Sequence, residues 1–101
     1  MAYGYVIVDM NITDMERYKR YMAAAPATIK DLGGEYLVRG GQQETLEGDW
    51  QPARMAVVRF PSFASAKQWY GGEQYRQARE QRAGATSHFN LVLVEGVETP
   101  V

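Results

Sequence analysis

The run from Tyr3 to Met10 constrains the fold more than any other segment of this 101-residue chain. It is built of aromatic and β-branched residues with an acid near its end, and a length of about eight residues favours a β-strand over a helix. An antiparallel strand with one wet face alternates apolar with polar residues, whereas this run is apolar on both of its faces. Both faces of the sheet that contains it must therefore be covered.

The segment after this strand predicts a helix. Residues Thr13 to Glu16 have the pattern of a capping box, in which the Thr hydroxyl accepts from the Glu amide and the Glu carboxylate accepts from the Thr amide. Apolar residues then follow at intervals of three and four along one helical face: Met15, Tyr18, Met22, Ala25, Ile29 and Leu32. Pro26 interrupts this stripe, so we expect a kink or a restart there, and Gly33 is expected to end the helix in a left-handed conformation.

The rest of the chain predicts three more strands and a helix in two pieces. The strands are expected at residues 35–39, 55–60 and 88–95. Ser62 follows a strand that ends at proline and is placed to cap the second helix. The Gly71-Gly72 pair interrupts that helix, and a further helical piece reaches Arg82. We expect one domain over residues 1–96 and a flexible tail over residues 97–101.

The resulting order, β-α-β-β-α-β, is typical of ferredoxin-like α+β folds, in which a four-stranded antiparallel sheet carries its helices on one face. The other face of the sheet then has no helix over it, although the strands carry apolar residues at both odd and even positions and therefore on both faces. A chain of 101 residues also buries a smaller fraction of its surface than a longer one does. The sequence therefore predicts a homodimer in which two sheets form a closed dimeric α+β barrel.

Composition and charge exclude several classes of partner and site. Eleven Lys and Arg residues are scattered along the chain against twelve Asp and Glu, which leaves a formal charge of −1 and no basic patch for nucleic acid or a membrane surface. With no cysteine and one histidine, the chain lacks the residues of disulfides, thiolate chemistry and the usual metal clusters. The short apolar N-terminal run does not predict a signal peptide or a membrane span, so we expect a cytoplasmic protein. The glycine pairs lack the spacing of a phosphate-binding loop, and His88, which alone could serve as an axial haem ligand, begins a strand and has no other feature of a haem site beside it, so we expect no cofactor.

A long ordered set of residues resembles one family of small bacterial proteins. The set comprises Tyr18, Tyr21, Pro26, Gly33-Gly34, residues 36–41 and 46–50, Phe60-Pro61-Ser62, Ala66, Trp69-Tyr70, Tyr75, Arg82 and residues 91–96. The family is known as domain of unknown function thirteen-thirty. The resemblance implies a dimeric α+β barrel, a superfamily that also holds cofactor-free monooxygenases, small isomerases and dehydratases, and haem-binding enzymes, but it implies no particular reaction.

The expected strand order, 4-1-3-2, places candidate catalytic residues at one end of the sheet. With strands one and three taken as parallel, Asp9, Arg59 and His88 are expected to meet there, while Arg39 falls toward the other end. In a partly closed cavity Arg59 would hold a carboxylate or carbonyl, His88 would act as general acid or base, and Asp9 would orient the imidazole. The alternative is a surface ion pair between Asp9 and Arg59 beside a solvated histidine.

Four further residues are candidates for ligand binding: Arg39, Tyr36, Trp50 and Trp69. Arg39 either enters the barrel as an anion receptor or crosses the dimer interface to a carboxylate such as Glu47, and the interface is favoured. Trp50, in a turn-rich loop, is a dimer anchor or a lid, with the anchor favoured. Trp69 has the helical spacing that is typical of packing.

These features lead to two hypotheses about function. In the first, the barrel holds a small apolar or carboxylate-bearing organic molecule and turns it over without a cofactor, by chemistry of the monooxygenase, isomerase or lyase type. In the second, the protein is a non-catalytic binding or stress-associated module whose polar residues maintain the dimer. An enclosed pocket whose apolar walls converge on Arg59, His88 or Asp9 would favour the first hypothesis.

Overall fold

A computed structural model describes residues 1–98 of the chain. Seven elements follow one another: β1 (Gly4–Ile12), α1 (Met15–Asp31), β2 (Glu35–Arg39), β3 (Arg54–Phe60), α2 (Phe63–Gly71), α3 (Glu73–Glu80) and β4 (Thr86–Glu95). The strands form one sheet in the order β2-β3-β1-β4, which is the ferredoxin-like arrangement that the sequence predicts. Of the predicted flexible tail, residues 99–101 lie outside the described part of the chain. No helix within residues 1–98 is long and apolar enough to cross a membrane.

Every pair of neighbouring strands in the sheet is antiparallel. The expected strand order is confirmed, but the expectation that the first and third strands run parallel is wrong. After α1, β2 runs in the same direction as β1, and the next connection reverses the chain again, so β3 must run against β1. Asp9 therefore lies opposite Met55, near the start of β3, whereas Arg59 lies opposite Tyr5 at the other end of the sheet.

The ends of α1 are set by two local features. The N-cap is Asp14 rather than the expected Thr13, because Asp14 Oδ1 accepts from the Arg17 amide at 3.1 Å while the Thr13 amide donates to the Ala85 carbonyl. Gly33 follows the C-terminus with a φ of +79°, a conformation that glycine adopts at little cost. Gly33 thus ends the helix as the sequence predicts.

α1 continues through Pro26 without interruption, so the second helical segment expected there does not form as a separate element. Proline has no amide hydrogen to donate to the carbonyl four residues before it, which here belongs to Met22. The Met22 carbonyl instead accepts a hydrogen bond from Arg39 Nη2 at 2.8 Å. A side chain from β2 therefore supplies the bond that the proline cannot make.

The two faces of the sheet are both rich in apolar residues but differ in what covers them. Even-numbered residues of β1 and β3 face the helices, and Val6, Met10 and Phe60 in this core are no more than 2% exposed. The opposite side has no helix over it, and Val92 in the centre of β4 is 60% exposed there. We call this side the open face; it is formed by Tyr5, Ile7, Asp9, Val57, Arg59, Asn90, Val92 and Val94.

Candidate ligand-binding site

The helices and the helix-facing side of the sheet enclose a cavity of about 40 Å³. Its walls are mainly apolar and aromatic, with Val8, Met10 and Leu91 from the sheet and Tyr18 and Trp69 from the helices. A space of this size holds a few water molecules at most. The groups that can recognise a ligand are the polar ones on its lining.

Two arginine side chains reach this cavity from neighbouring strands. Arg39 in β2 pairs with Ala56, and Arg54 precedes Ala56 by two positions in β3, so the three residues share one face of the sheet. Arg39 is held by its bond to the Met22 carbonyl and by the Tyr36 ring, whose centroid is 4.6 Å from the guanidinium carbon. The lining therefore carries two positive charges.

Arg54 is seated against the backbone of Gly40. A β-carbon on Gly40 would lie 2.5 Å from the Arg54 guanidinium carbon, and the φ of +71° at Gly40 is a conformation that favours glycine. Within residues 1–98, neither Arg39 nor Arg54 forms an ion pair, whereas Arg59 pairs with one glutamate and Arg76 with two. The two guanidinium groups at the cavity thus lack a carboxylate from the described chain.

Three tyrosines on the lining keep their protons at neutral pH. Burial raises the pKa of Tyr18, Tyr21 and Tyr36 above the ordinary value of 10.0. For Tyr21 a further cause is Tyr75, whose hydroxyl is 2.7 Å from the Tyr21 hydroxyl, while for Tyr36 the charge of Arg39 partly opposes the effect of burial on the pKa. These groups can therefore donate hydrogen bonds to an anion, but they do not supply a tyrosinate base.

Trp69 forms a fixed wall of the cavity. Its indole N–H donates to Thr28 Oγ1 at 3.0 Å, and the Thr28 hydroxyl donates in turn to the Ala25 carbonyl at 2.7 Å. The Trp69 ring also packs on Tyr75, with 4.1 Å between the ring centroids. Because its N–H is already bonded within the protein, Trp69 contributes shape and apolar surface to the cavity.

A second polar cluster lies on the open face around Asp9. The Asp9 carboxylate accepts from Trp50 Nε1 at 3.1 Å and from Asn90 Nδ2 at 3.0 Å, and His88 Nε2 is 3.8 Å away. The bond from Trp50 is the largest cause that holds the pKa of Asp9 below its ordinary value of 3.8; Asn90 and His88 lower it further, and burial opposes them. The structure thus brings Asp9 and His88 together, as expected from the sequence.

Arg59 does not join this cluster. Tyr5 lies opposite Arg59 and Asp9 lies opposite Met55, so four residues of strand, about 13 Å, separate the two positions. Arg59 instead pairs with Glu35 and stacks on Tyr3, with its guanidinium carbon 4.5 Å from the ring centroid. The expected meeting of Asp9, Arg59 and His88 is therefore wrong, because it depended on parallel first and third strands.

The residues predicted to bind a ligand are divided between the two sides of the sheet. Tyr36, Arg39 and Trp69 line the cavity, whereas Trp50 is 58% exposed and is bonded to Asp9 on the open face. Arg39 lies at the same end of the sheet as Asp9, not at the other end as expected, because its partner Ala56 follows Met55. Its side chain lines the cavity, and its favoured role at the dimer interface stays a prediction.

Sequence reasoning missed Arg54. The alternation of a strand that starts at Arg54 rather than Met55 would have placed it on the same face as Ala56.

A four-stranded antiparallel sheet with helices on one face and a cavity between the two layers defines a ferredoxin-like α+β protein. Within that class, the chain belongs to the family described as a domain of unknown function (DUF1330), whose model matches residues 3–97. No curated protein matches the chain.

Solved structures of low sequence identity share the fold. A protein of unknown function from Rhodopseudomonas palustris is 17% identical with a TM-score of 0.76, over 97% of this chain and 85% of the other. A dimeric ferredoxin-like protein of unknown function from Jannaschia is 16% identical with a TM-score of 0.67, over 91% of this chain and 97% of the other. A dabb family protein from Mesorhizobium loti is 10% identical with a TM-score of 0.60, over 100% of this chain and 99% of the other.

Proposed function

We propose that this protein binds a small organic molecule with a carboxylate group, and that Arg39 and Arg54 hold the carboxylate. The observation that carries the proposal is the pair of guanidinium groups beside an apolar and aromatic cavity, neither of them paired with a carboxylate within residues 1–98. Arg54 is half-buried, and a partly desolvated cation without a counterion is costly, so an anionic ligand is its natural partner. Arg39 is exposed and supplies a second guanidinium group beside it.

The surrounding groups suit such a ligand. A planar guanidinium binds a carboxylate through two parallel hydrogen bonds, and Arg39 is already oriented by the Met22 carbonyl and the Tyr36 ring. Protonated tyrosine hydroxyls are further donors for an anion. Apolar walls such as Met10 and Leu91 favour a hydrocarbon part in the same molecule.

The lining supports binding more than turnover. The residues that line the cavity within residues 1–98 include no histidine, carboxylate or lysine. The cavity therefore holds no side chain that is suited to proton transfer near neutral pH. Asp9 and His88 lie on the other side of the sheet, and Arg59 is at its far end. Cofactor-free catalysis by Asp9, Arg59 and His88 therefore stays a prediction to which the cavity adds no support.

We also propose that the protein acts as a homodimer that covers the open face with a second copy. Apolar side chains in the middle of that face, among them Ile7, Val57 and Val92, have no helix over them. An interface of standard size covers about 800 Å² on each partner, which is an area that one face of a small sheet can supply. The Jannaschia relative is itself described as dimeric.

The carboxylate proposal is tested by thermal shift with acids and their amides, namely propanoate against propanamide and hexanoate against hexanamide. The acids should raise the melting temperature by several degrees at ten times their Kd, because a ligand that binds the folded state stabilises it by about 1.4 kcal/mol under that condition. The amides should have no comparable effect, since they lack the charge. Arg39→Met and Arg54→Met should abolish the response, and Arg39→Lys should retain part of it.

Arg20→Met is the matched control, because Arg20 is an exposed arginine on α1 that does not line the cavity. It removes the same charge and should respond to the acids as the wild type does. Equal shifts with acids and amides, or equal losses in Arg20→Met and Arg39→Met, would show that the arginine pair is not a carboxylate site.

A further inference from the structure

A second void adjoins the cavity at the end of the sheet. It is an open cleft of about 310 Å³, and Met10 and Arg54 line both the cleft and the cavity. The rest of the cleft lining includes the apolar residues Ile12 and Met15, the polar residues Asn11 and Gln43, and Gly41. The two voids therefore share the side chains of Met10 and Arg54 in their walls.

The sizes of the two voids limit where a ligand can lie. The cavity, at about 40 Å³, has room for a small group only, whereas pockets for drug-sized ligands measure about 300 Å³ or more. A carboxylate held by Arg54 lies at the boundary between the two spaces. Any substantial hydrocarbon chain attached to it must therefore extend into the cleft.

Building on the proposed carboxylate site, we propose that the ligand is an elongated aliphatic carboxylic acid whose chain lies in this cleft. The side chains of Met10 and Met15 are unbranched and adaptable, and together with Ile12 they form the apolar part of the cleft, against which an unbranched hydrocarbon can pack. The carboxylate is bound by Arg39 and Arg54, and the chain packs between these side chains and the glycine pair that follows β2.

Gly41 offers a way to block the cleft without disturbing the fold. A β-carbon built on Gly41 meets no atom within 4 Å, and the backbone there is not in the left-handed region. Gly41→Leu should therefore fold normally and fill the cleft. Gly71→Leu is the matched control, because a β-carbon on Gly71 also meets nothing within 4 Å and the residue lies at the end of α2, outside both voids.

The experiment is isothermal titration calorimetry with propanoate, hexanoate and octanoate. Each methylene that is buried in the cleft should tighten binding by about two- to fourfold. Octanoate should therefore bind the wild type and Gly71→Leu at least tenfold more tightly than propanoate does. In Gly41→Leu this gain should disappear, while the Kd for propanoate stays within about twofold of the wild-type value.

Met15→Glu provides a second, independent block. Met15 is the first residue of α1 and is 44% exposed, so glutamate is well tolerated there and interacts favourably with the helix dipole. Its carboxylate would enter the cleft and make the space unfavourable for a hydrocarbon chain. Because the new carboxylate also repels the carboxylate of any acid, Met15→Glu should weaken the binding of both acids, and it should weaken octanoate about tenfold more than propanoate.

Two results would contradict this inference in distinguishable ways. If chain length has no effect on affinity, or if Gly41→Leu and Met15→Glu both keep the full gain, the cleft is not the chain site, although the arginine pair still binds acids. If none of the acids binds the wild type, the proposed carboxylate site fails as well.

Discussion

Asp9 shows how a carboxylate can be held in place on a sheet face that is mostly apolar. The indole of Trp50 and the amide of Asn90 donate to its two oxygens, and His88 lies close enough to pair with it when protonated. Trp50 is thereby fixed over the open face although more than half of its surface is exposed. The loop between β2 and β3 is thus attached to β1 through one hydrogen bond.

The lowered pKa of Asp9 predicts an acid dependence of stability. Because the pKa is below 3.8 in the folded state, the ionised carboxylate stabilises the fold above that pH, and the contribution is lost as pH falls through the folded-state pKa. Asp9→Asn should lower the free energy of unfolding by about 1 to 2 kcal/mol at pH 7. Urea unfolding at several pH values should show this difference shrinking below pH 3.8.

Asp49→Asn is the control for this prediction, since Asp49 is exposed and makes no side-chain hydrogen bond among the contacts of residues 1–98. Asp49→Asn should leave the free energy of unfolding nearly unchanged at every pH. Trp50→Phe, which removes the main donor to Asp9, should reproduce part of the loss at pH 7. A difference between wild type and Asp9→Asn that does not change with pH would contradict the assigned role of the Asp9 charge.

Single residues differ in how far their role can be read from sequence. Ser62 caps α2 as predicted, because its hydroxyl accepts from the Ser65 amide three residues later at 3.0 Å. Thr13 and Asp14 are both competent caps, and the amides of both residues donate to the distant Ala85 carbonyl. It is Asp14 whose side chain accepts from a helix amide, that of Arg17, and the local sequence pattern does not rank two adjacent caps.

At the scale of elements, Pro26 and Arg39 connect α1 to β2. The proline leaves the Met22 carbonyl without its helical donor, and the Arg39 guanidinium takes that place. The interruption that the sequence predicts in α1 is therefore present as a missing hydrogen bond and not as a break in the helix. The hydrogen bond to the Met22 carbonyl orients Arg39, which is one of the two arginines on the cavity lining.

A double-mutant cycle tests this connection. Pro26→Ala should raise the free energy of unfolding by about 1 to 3 kcal/mol, because alanine restores the helical hydrogen bond. Arg39→Met should cost about 1 kcal/mol more in the wild type than in the Pro26→Ala background, where the Met22 carbonyl already has a partner. Additivity of the two substitutions within about 0.3 kcal/mol, measured by urea unfolding, would show that they do not act through Met22.

The order of the elements can be predicted from the apolar runs in the sequence and the turn residues between them. The relative directions of the strands and the residues that meet at the site are harder to predict from the sequence. Taking the first and third strands as parallel placed Arg59 beside Asp9, and the antiparallel sheet separates them. Arg54 was missed because a strand that begins one residue earlier brings one more side chain to the helix-facing side. Which side a side chain faces depends on register, and register depends on contacts between distant strands.

For the whole molecule, the open face accounts for the two-sided apolar strands. Helices cover one side of the sheet, and the side chains of Ile7, Val57 and Val92 are left on the other. An exposed apolar sheet face of this kind is the surface that a second copy would cover in the proposed dimer.

Val92→Glu tests the proposed dimer. A buried charge within the interface should weaken association at least tenfold, and sedimentation velocity at micromolar concentration should show the mass falling from twice the chain mass to the chain mass. Met15→Glu, which adds the same charge on the helix side, should remain dimeric. A wild-type protein that is monomeric and stays soluble at high micromolar concentration would contradict the proposal.

The most direct test of the carboxylate site is a crystal structure of the protein grown with octanoate at a saturating concentration. We expect one octanoate in each chain, with its carboxylate oxygens about 2.7 to 2.9 Å from guanidinium nitrogens of both Arg39 and Arg54. An octanoate bound elsewhere, with both of these arginines free of it, would contradict the proposed carboxylate site.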